Sequence, residues 1–223
     1  MKQSRLGLLL VLGAFVMSGC SKPPPLGHEK LVYHAIGSSD TLGVGAFPLS
    51  NGYTFRIQDE LKDQGRNVAL FQISIPAANT DIIADAVQTA ADNGSNAELA
   101  TVWVGANDLI NGVPVESFAA ELEALLSSLQ DDMEAYVIVA NLPLLPDLPG
   151  FAEEPIPEVT HERVRQFNTV IEEKAAERQI PVIDLTGDAI DSHLVNDFDG
   201  IHPDDDGHER MAKLFMNYIR PAL

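Results

Sequence analysis

Residues 31–43, with the sequence LVYHAIGSSDTLG, decide how the rest of the chain is interpreted. The apolar start, Leu31-Val32-Tyr33, predicts a strand, and the turn-forming residues that follow predict where it ends. A serine on a sharp turn after a buried strand has its hydroxyl exposed at the sheet edge, where a histidine from elsewhere can reach it. On its own the stretch is more simply explained as a strand-ending turn, so its interpretation depends on the other motifs.

Apolar and amphipathic segments alternate along the 223-residue chain, of which 45% is hydrophobic. Continuous apolar strands that alternate with amphipathic helices are typical of a parallel sheet covered on both faces. The sequence therefore predicts one α/β domain with a five-stranded parallel sheet. The predicted strands are 31–33, 68–73, 99–104, 136–140 and 181–185, and the predicted helices are 55–64, 82–93, 118–129, 161–178 and 204–219.

Polar side chains follow four of the five predicted strands. In open parallel sheets the functional crevice lies outside the carboxyl ends of the strands. Because these residues all follow strands, we expect them to lie at one edge of the sheet. They are Ser39 after the first strand, Ser74 after the second, Asn107 after the third, and Asp199 with His202 after the fifth.

The second key motif is DGIHP at residues 199–203. Gly200 permits a tight turn, so Asp199 can fold back on the imidazole of His202. A carboxylate that accepts a hydrogen bond from one ring nitrogen fixes the tautomer and leaves the other nitrogen free to take a serine proton. No other histidine has an aspartate held by a turn at this edge, so we expect surface or capping roles for His28, His34, His161, His193 and His208.

Three blocks of this chain resemble the SGNH (GDSL-type) hydrolases in order and spacing. They are GSSDT at 37–41, GAND at 105–108 and DGIHP at 199–203. The resemblance implies a flavodoxin-like three-layer αβα sandwich. It implies that Ser39 is the nucleophile, His202 the base and Asp199 its orienting partner. It also implies that the Asn107 side chain and the backbone N–H groups of Ser39 and Ser74 form the oxyanion hole.

The sequence departs from the family pattern at two places. Ser38 stands where the family usually has aspartate, and Asp40 directly follows the proposed nucleophile. An acidic residue after the serine, instead of before it, alters the local turn but removes no catalytic atom. Ser74 stands where the family has a glycine that donates through its backbone N–H, which a serine can do if it adopts the required backbone angles.

The first residues have the pattern of an export signal. Lys2 and Arg5 precede a short apolar run, and Met17-Ser18-Gly19-Cys20 resembles the bacterial lipobox. We expect residues 1–19 to be a signal peptide, 20–29 a lipidated Cys20 with a Pro-rich spacer, and 30–223 the hydrolase domain. This places the protein in the bacterial cell envelope on a lipid anchor, with Ser21 favouring the outer membrane. A plain signal peptide is the alternative.

The formal charge of −19 excludes several partners. Such a surface repels nucleic acid and anionic lipid head groups, so a membrane anchor has to consist of acyl chains.

The GVG at 43–45 lacks the lysine of a phosphate loop. The acids at 204–206 suit the first turn of a helix without an ion. We therefore expect no cofactor and no metal.

Residues 142–159 form a long predicted loop with five prolines. The loop leaves the fourth strand at the edge that carries the candidate residues. Its apolar side chains predict either an apolar wall of the site or an ordinary surface loop. They are Leu144, Leu145, Leu148, Phe151 and Ile156.

Together these features predict a lipid-anchored serine hydrolase that cleaves carboxylic esters through an acyl-enzyme. Its substrate is a small-molecule, lipid or glycan ester. One alternative is a carbohydrate O-deacetylase. A second alternative, from another class of protein, is a catalytically idle lipoprotein that uses the same crevice for binding.

Overall fold

A computed structural model describes residues 30–187 and 190–222. The predicted signal peptide, Cys20 and most of the spacer lie outside these residues. The strands all run parallel, which confirms the predicted sheet. They are β1 (Leu31–Gly37), β2 (Val68–Ser74), β3 (Leu99–Trp103), β4 (Tyr136–Ala140) and β5 (Val182–Ile183).

The strand order is β2-β1-β3-β4-β5. This is the flavodoxin-like order of doubly wound sheets. The chain places β2 on one side of β1 and then β3, β4 and β5 on the other, so the direction in which strands are added reverses between β1 and β3. All five residues of β3 are buried, as expected for a strand covered on both faces. The carboxyl ends of β1 and β3 therefore meet at the switch point, where such sheets form their crevice.

Helices cover both faces of the sheet and complete three layers. The helices are α1 (Ser39–Leu42), α2 (Tyr53–Asp63), α3 (Thr80–Asp92), α4 (Ala106–Ile110), α5 (Val115–Ser127), α6 (Pro149–Glu153), α7 (His161–Glu177) and α8 (Asp205–Ile219). Helix α2 packs against α8 in one layer, while α5 packs against α3 and α7 in the other. Among the described residues, no helix has the length and apolar character needed to cross a bilayer.

Several local predictions are wrong. Strand β2 is not fully buried, because it is an edge strand with one neighbour, and Phe71 is half exposed. Helix α3 begins at Thr80, two residues before the predicted start at 82, and its buried stripe runs through Ile83, Ala84 and Val87. The predicted loop 142–159 contains the short helix α6 and a 3-10 turn.

Candidate active site

Ser39 is held by a tight turn at the end of β1. A side chain on Gly37 would overlap the Thr41 hydroxyl and the Trp103 carbonyl, so the last residue of the strand has to be glycine. Ser39 then opens α1, and the Thr41 hydroxyl of the same helix lies 2.9 Å from the Tyr53 hydroxyl. The serine hydroxyl is thus placed at the carboxyl end of β1 by a packed backbone.

His202 connects Ser39 to Asp199. Its Nε2 lies 2.8 Å from Ser39 Oγ, and its Nδ1 lies 2.7 Å from Asp199 Oδ2. With a proton on Nδ1, the ring donates to the carboxylate and its Nε2 can accept the hydroxyl proton. The arrangement can therefore activate the serine oxygen as a nucleophile.

The Asp199 carboxylate is fixed by further hydrogen bonds. Its Oδ1 accepts from the backbone N–H of Ile201 at 2.8 Å, the backbone N–H of His202 at 3.0 Å and the Asn196 side chain at 3.0 Å. Partial burial works against the charged form. The hydrogen bonds from the backbone and from the His202 ring nevertheless hold the pKa of Asp199 below its ordinary value. The carboxylate therefore stays charged opposite the imidazole.

Asn107 lies in the same cavity, at the N-terminal turn of α4 after β3. Its Nδ2 donates to the Ala78 carbonyl at 3.0 Å, and a side-chain amide has a second hydrogen to donate. Ser74 is the last residue of β2 and pairs with Gly37. It is not among the described residues that line this cavity, so its predicted role stays a prediction.

The cavity beside Ser39 is small and has an apolar wall. It encloses about 130 Å³, below the roughly 300–1,000 Å³ of pockets that hold drug-sized ligands. Leu145, Leu148 and Phe151 line it, each almost fully buried, together with Trp103 and Ile110. Three of the five side chains predicted for an apolar wall, Leu145, Leu148 and Phe151, thus line the cavity, whereas Leu144 and Ile156 do not.

Asp40 contributes a carboxyl group to the lining of the cavity beside Ser39. Burial raises the pKa of Asp40 above its ordinary value, and the nearby His202 opposes that shift. The sequence singled out Asp40 only as a departure from the family pattern. The structure places Asp40 directly after the candidate nucleophile and close enough to His202 for their charges to interact.

Asn196 is the most important residue that the sequence analysis missed. Its Oδ1 accepts from the backbone N–H groups of Phe198 at 3.0 Å and Asp199 at 3.1 Å. Its Nδ2 donates to Asp199 and also to the His202 carbonyl at 2.9 Å. An asparagine three residues before the aspartate is compatible with such an Asx turn, and that spacing is the signal that could have found it.

Two histidines that were predicted to lie on the surface or at a cap are buried. His34 is 2% exposed and His208 is 0% exposed. The Nε2 of His208 donates to the Val44 carbonyl at 3.0 Å, and its Nδ1 accepts from the Tyr53 backbone at 3.3 Å. His208 therefore ties the 44–47 loop to α2 and α8, next to the site.

The acids at the start of α8 lie at its N-terminal end, as the sequence predicts. They cap the helix and bind the backbone of the 44–47 loop. Asp204 accepts from the Gly207 backbone at 2.8 Å, and Asp205 accepts from the Phe47 backbone at 2.8 Å. Within residues 30–187 and 190–222, no group of three or more His, Cys, Asp or Glu side chains is arranged to hold a metal ion.

The fold and the site together define a three-layer α/β hydrolase. The chain belongs to the GDSL-like lipase/acylhydrolase family, whose sequence profile matches residues 35–210. A comparison with curated proteins finds no match.

Similar solved structures share this fold over almost their whole length. A lipase/acylhydrolase from Enterococcus faecalis has a TM-score of 0.71 and 20% identity, over 86% of this chain and 96% of that one. TesA has a TM-score of 0.70 and 19% identity, over 86% and 99%. An acetyl xylan esterase has a TM-score of 0.65 and 16% identity, over 85% and 100%. At these identities the likeness shows the fold alone.

Proposed function

We propose that the protein hydrolyses carboxylic esters through an acyl-enzyme on Ser39. The observation that carries the proposal is the continuous hydrogen-bonded chain from Ser39 Oγ through both ring nitrogens of His202 to Asp199. Family membership supports the same reaction class. In this reaction Ser39 is the nucleophile, His202 the general base and Asp199 its orienting partner.

Acylation begins when Ser39 Oγ attacks the acyl carbon and its proton passes to His202 Nε2. The negative charge moves to the former carbonyl oxygen, where the free amide hydrogen of Asn107 and the Ser39 backbone N–H donate to it. His202 then gives its proton to the alcohol oxygen as the C–O bond breaks. The alcohol leaves, and the acyl group remains on Ser39.

Deacylation repeats these steps with water. His202 Nε2 takes a proton from the water as its oxygen attacks the acyl carbon. The second tetrahedral intermediate collapses, Ser39 Oγ recovers the proton from His202, and a carboxylic acid is released. Asp199 keeps its negative charge throughout and stabilises each imidazolium state.

The direct test is labelling by a fluorophosphonate together with ester hydrolysis. Ser39→Ala should abolish labelling, and His202→Ala should lower kcat by at least about 10⁴-fold, with the double variant little worse, because the two residues act as a unit. Ser38→Ala is the matched control and should keep the label. Labelling that moves to Ser38 would reassign the nucleophile. A folded protein that neither labels nor hydrolyses esters would be the binding lipoprotein.

We also propose that the protein is anchored in the cell envelope through acylated Cys20. The lipobox and the absence of any other cysteine in the sequence support this assignment. Two or more acyl chains anchor a protein stably, whereas one is marginal. Cys20→Ser should therefore move the protein from the membrane to the soluble fraction. A variant that still sediments with membranes in high salt would contradict the anchor.

A second candidate, carbohydrate O-deacetylation, is favoured by the size of the cavity beside Ser39. About 130 Å³ suits an acetyl group better than a long acyl chain. An acetyl xylan esterase is among the structures of similar fold, which is compatible with this reaction but does not assign it.

A further inference from the structure

Two phenylalanine rings project into solvent beside the Ser39–His202–Asp199 chain. Phe198 is 97% exposed and Phe47 is 89% exposed, which makes them the most exposed large apolar side chains of the described residues. Both line one groove of about 370 Å³ between residues 44–47 and residues 196–199. Exposed apolar side chains that share a groove mark a binding surface more often than isolated ones do.

The backbone presents these two rings rigidly. The N–H of Phe198 donates to Asn196 Oδ1, within the same turn that fixes Asp199. The N–H of Phe47 donates to Asp205 at 2.8 Å, and its carbonyl accepts from Asn51 at 2.9 Å. Little ordering of the backbone is therefore needed before a ligand binds, which is the usual condition for a preformed site.

The groove lies beside the imidazole of His202. The alcohol oxygen must come within hydrogen-bond distance of His202 Nε2 to receive its proton. A side chain on Gly45 would overlap the Pro203 carbonyl and come within 3.1 Å of His202 Cβ. The 44–47 loop thus packs directly against His202 and Pro203. Its groove is lined by other residues than the cavity walled by Leu145 and Leu148.

The surface continues past Phe198 into a second cleft. This cleft encloses about 500 Å³ and shares residues 196–199 with the groove, so Phe198 stands between the two. Its rim includes the carboxylates of Glu153, Glu154 and Asp197. The site is therefore asymmetric, with a small apolar cavity for the acyl group and a long surface of rings and acceptors for the alcohol.

We propose that the groove between residues 44–47 and 196–199 binds an uncharged sugar ring in the alcohol half of the substrate. The ester cleaved is then a short acyl group on a neutral glycan, and this assignment rests on the ester hydrolysis proposed above. Sugar rings offer an apolar face to Phe198 and Phe47, and their hydroxyl groups donate to the neighbouring carboxylates. The carboxylates repel anionic glycans.

A bilayer suits this surface less well. Insertion of Phe198 into lipid would bring the Asp197 carboxylate out of water without a donor, and burying an unpaired charge is costly. A sugar supplies its own donors. The same carboxylates are unfavourable next to anionic head groups.

The kinetic test compares acetylated xylotetraose with ethyl acetate, using the full chain. Phe198→Ala and Phe47→Ala should each lower kcat/KM for acetylated xylotetraose by at least about tenfold, mainly through KM. The loss on ethyl acetate should be several-fold smaller, because its alcohol is too short to reach the rings. Phe198→Trp should retain the sugar ester activity. Equal losses on both esters would overturn the proposal.

Phe71→Ala is the matched control, since it removes another exposed phenyl ring, at the outer edge of the sheet on β2. It should leave the ratio of the two activities unchanged. An acetylated oligogalacturonate of the same length should be cleaved more slowly than acetylated xylotetraose, with a gap that narrows as salt is added. A preference for the anionic glycan would contradict the proposal.

Binding separates this inference from the proposed hydrolysis. Unacetylated xylotetraose should bind the Ser39→Ala protein in a calorimetric titration, and adding Phe198→Ala should weaken that binding. Sugar binding by a wild-type protein that cleaves neither ester would support the groove while refuting hydrolysis. If Phe198→Ala instead leaves sugar kinetics intact and, in the Cys20→Ser background, reduces co-sedimentation with phosphatidylcholine vesicles, the surface binds lipid and the proposal is wrong.

Discussion

Asn107 is the residue whose side-chain amide is proposed to donate to the oxyanion beside Ser39. One of its hydrogens already bonds to the Ala78 carbonyl at 3.0 Å, which fixes the direction of the other. Asn107→Ala should lower kcat by about 10²–10³ with a smaller effect on KM, because the donor acts on charge that develops in the transition state. Asn111→Ala is the control, as the exposed Asn111 side chain just after α4 donates to Asn79 at 2.8 Å. An unchanged kcat in Asn107→Ala would remove this residue from the mechanism.

Asp40 makes stability depend on pH in a direction that can be tested. Burial raises its pKa in the folded state, so the folded protein holds this proton more tightly than the unfolded chain does. Its contribution to stability is therefore fully present below the unfolded pKa and is lost as the pH rises through the folded pKa. Asp40→Asn removes that loss.

The melting temperature of Asp40→Asn should accordingly rise relative to the wild type as the pH increases from acid to neutral. Thermal unfolding by circular dichroism over this range measures the difference. A difference that shrinks with increasing pH would show that the Asp40 charge is compensated, for example by His202, and is not a cost to the folded state.

At the scale of elements, loop 142–159 supplies part of the apolar wall of the cavity beside Ser39. Leu148 is almost fully buried and faces the cavity that contains Ser39. Leu148→Ala should shift preference from acetyl toward butyryl esters because it enlarges the cavity, and should cost about 2–5 kcal/mol of stability. Leu126→Ala, in the buried core of α5, should carry a similar cost without a change in preference. An unaltered chain-length profile for Leu148→Ala would show that the wall does not limit the acyl group.

The sequence predicted the strands and long helices well because their periodicity is local. It could not show that β2 lies at the sheet edge, since strand order is a tertiary property, and so it overstated the burial of Phe71. The motifs located Ser39, Asn107 and the DGIHP block, whose spacing is tied to strand ends. They did not reveal Asn196, whose role depends on hydrogen bonds that only the folded turn creates.

At the scale of the molecule, the charge of −19 makes the fold sensitive to ionic strength. Acidic residues outnumber basic ones by 33 to 14, so repulsion among carboxylates outweighs the surface ion pairs that salt also weakens. Raising NaCl from about 0.01 M to about 0.5 M should increase the melting temperature by roughly several degrees. Differential scanning calorimetry measures this shift. A decrease would show that ion pairs such as Arg178–Glu123 dominate instead.

The distance along the chain between Ser39 and His202 has a consequence for how the protein matures. Ser39 follows the first strand and His202 precedes the last helix, 163 positions later. Parallel pairing of distant segments is a slow route to a folded state, and α8 docks on α2 only when the C-terminal part of the chain has been made. A chain whose C-terminal part has not yet been made therefore contains Ser39 without His202. In the proposed mechanism, Ser39 is therefore unreactive during synthesis and gains its base only when α8 packs against α2.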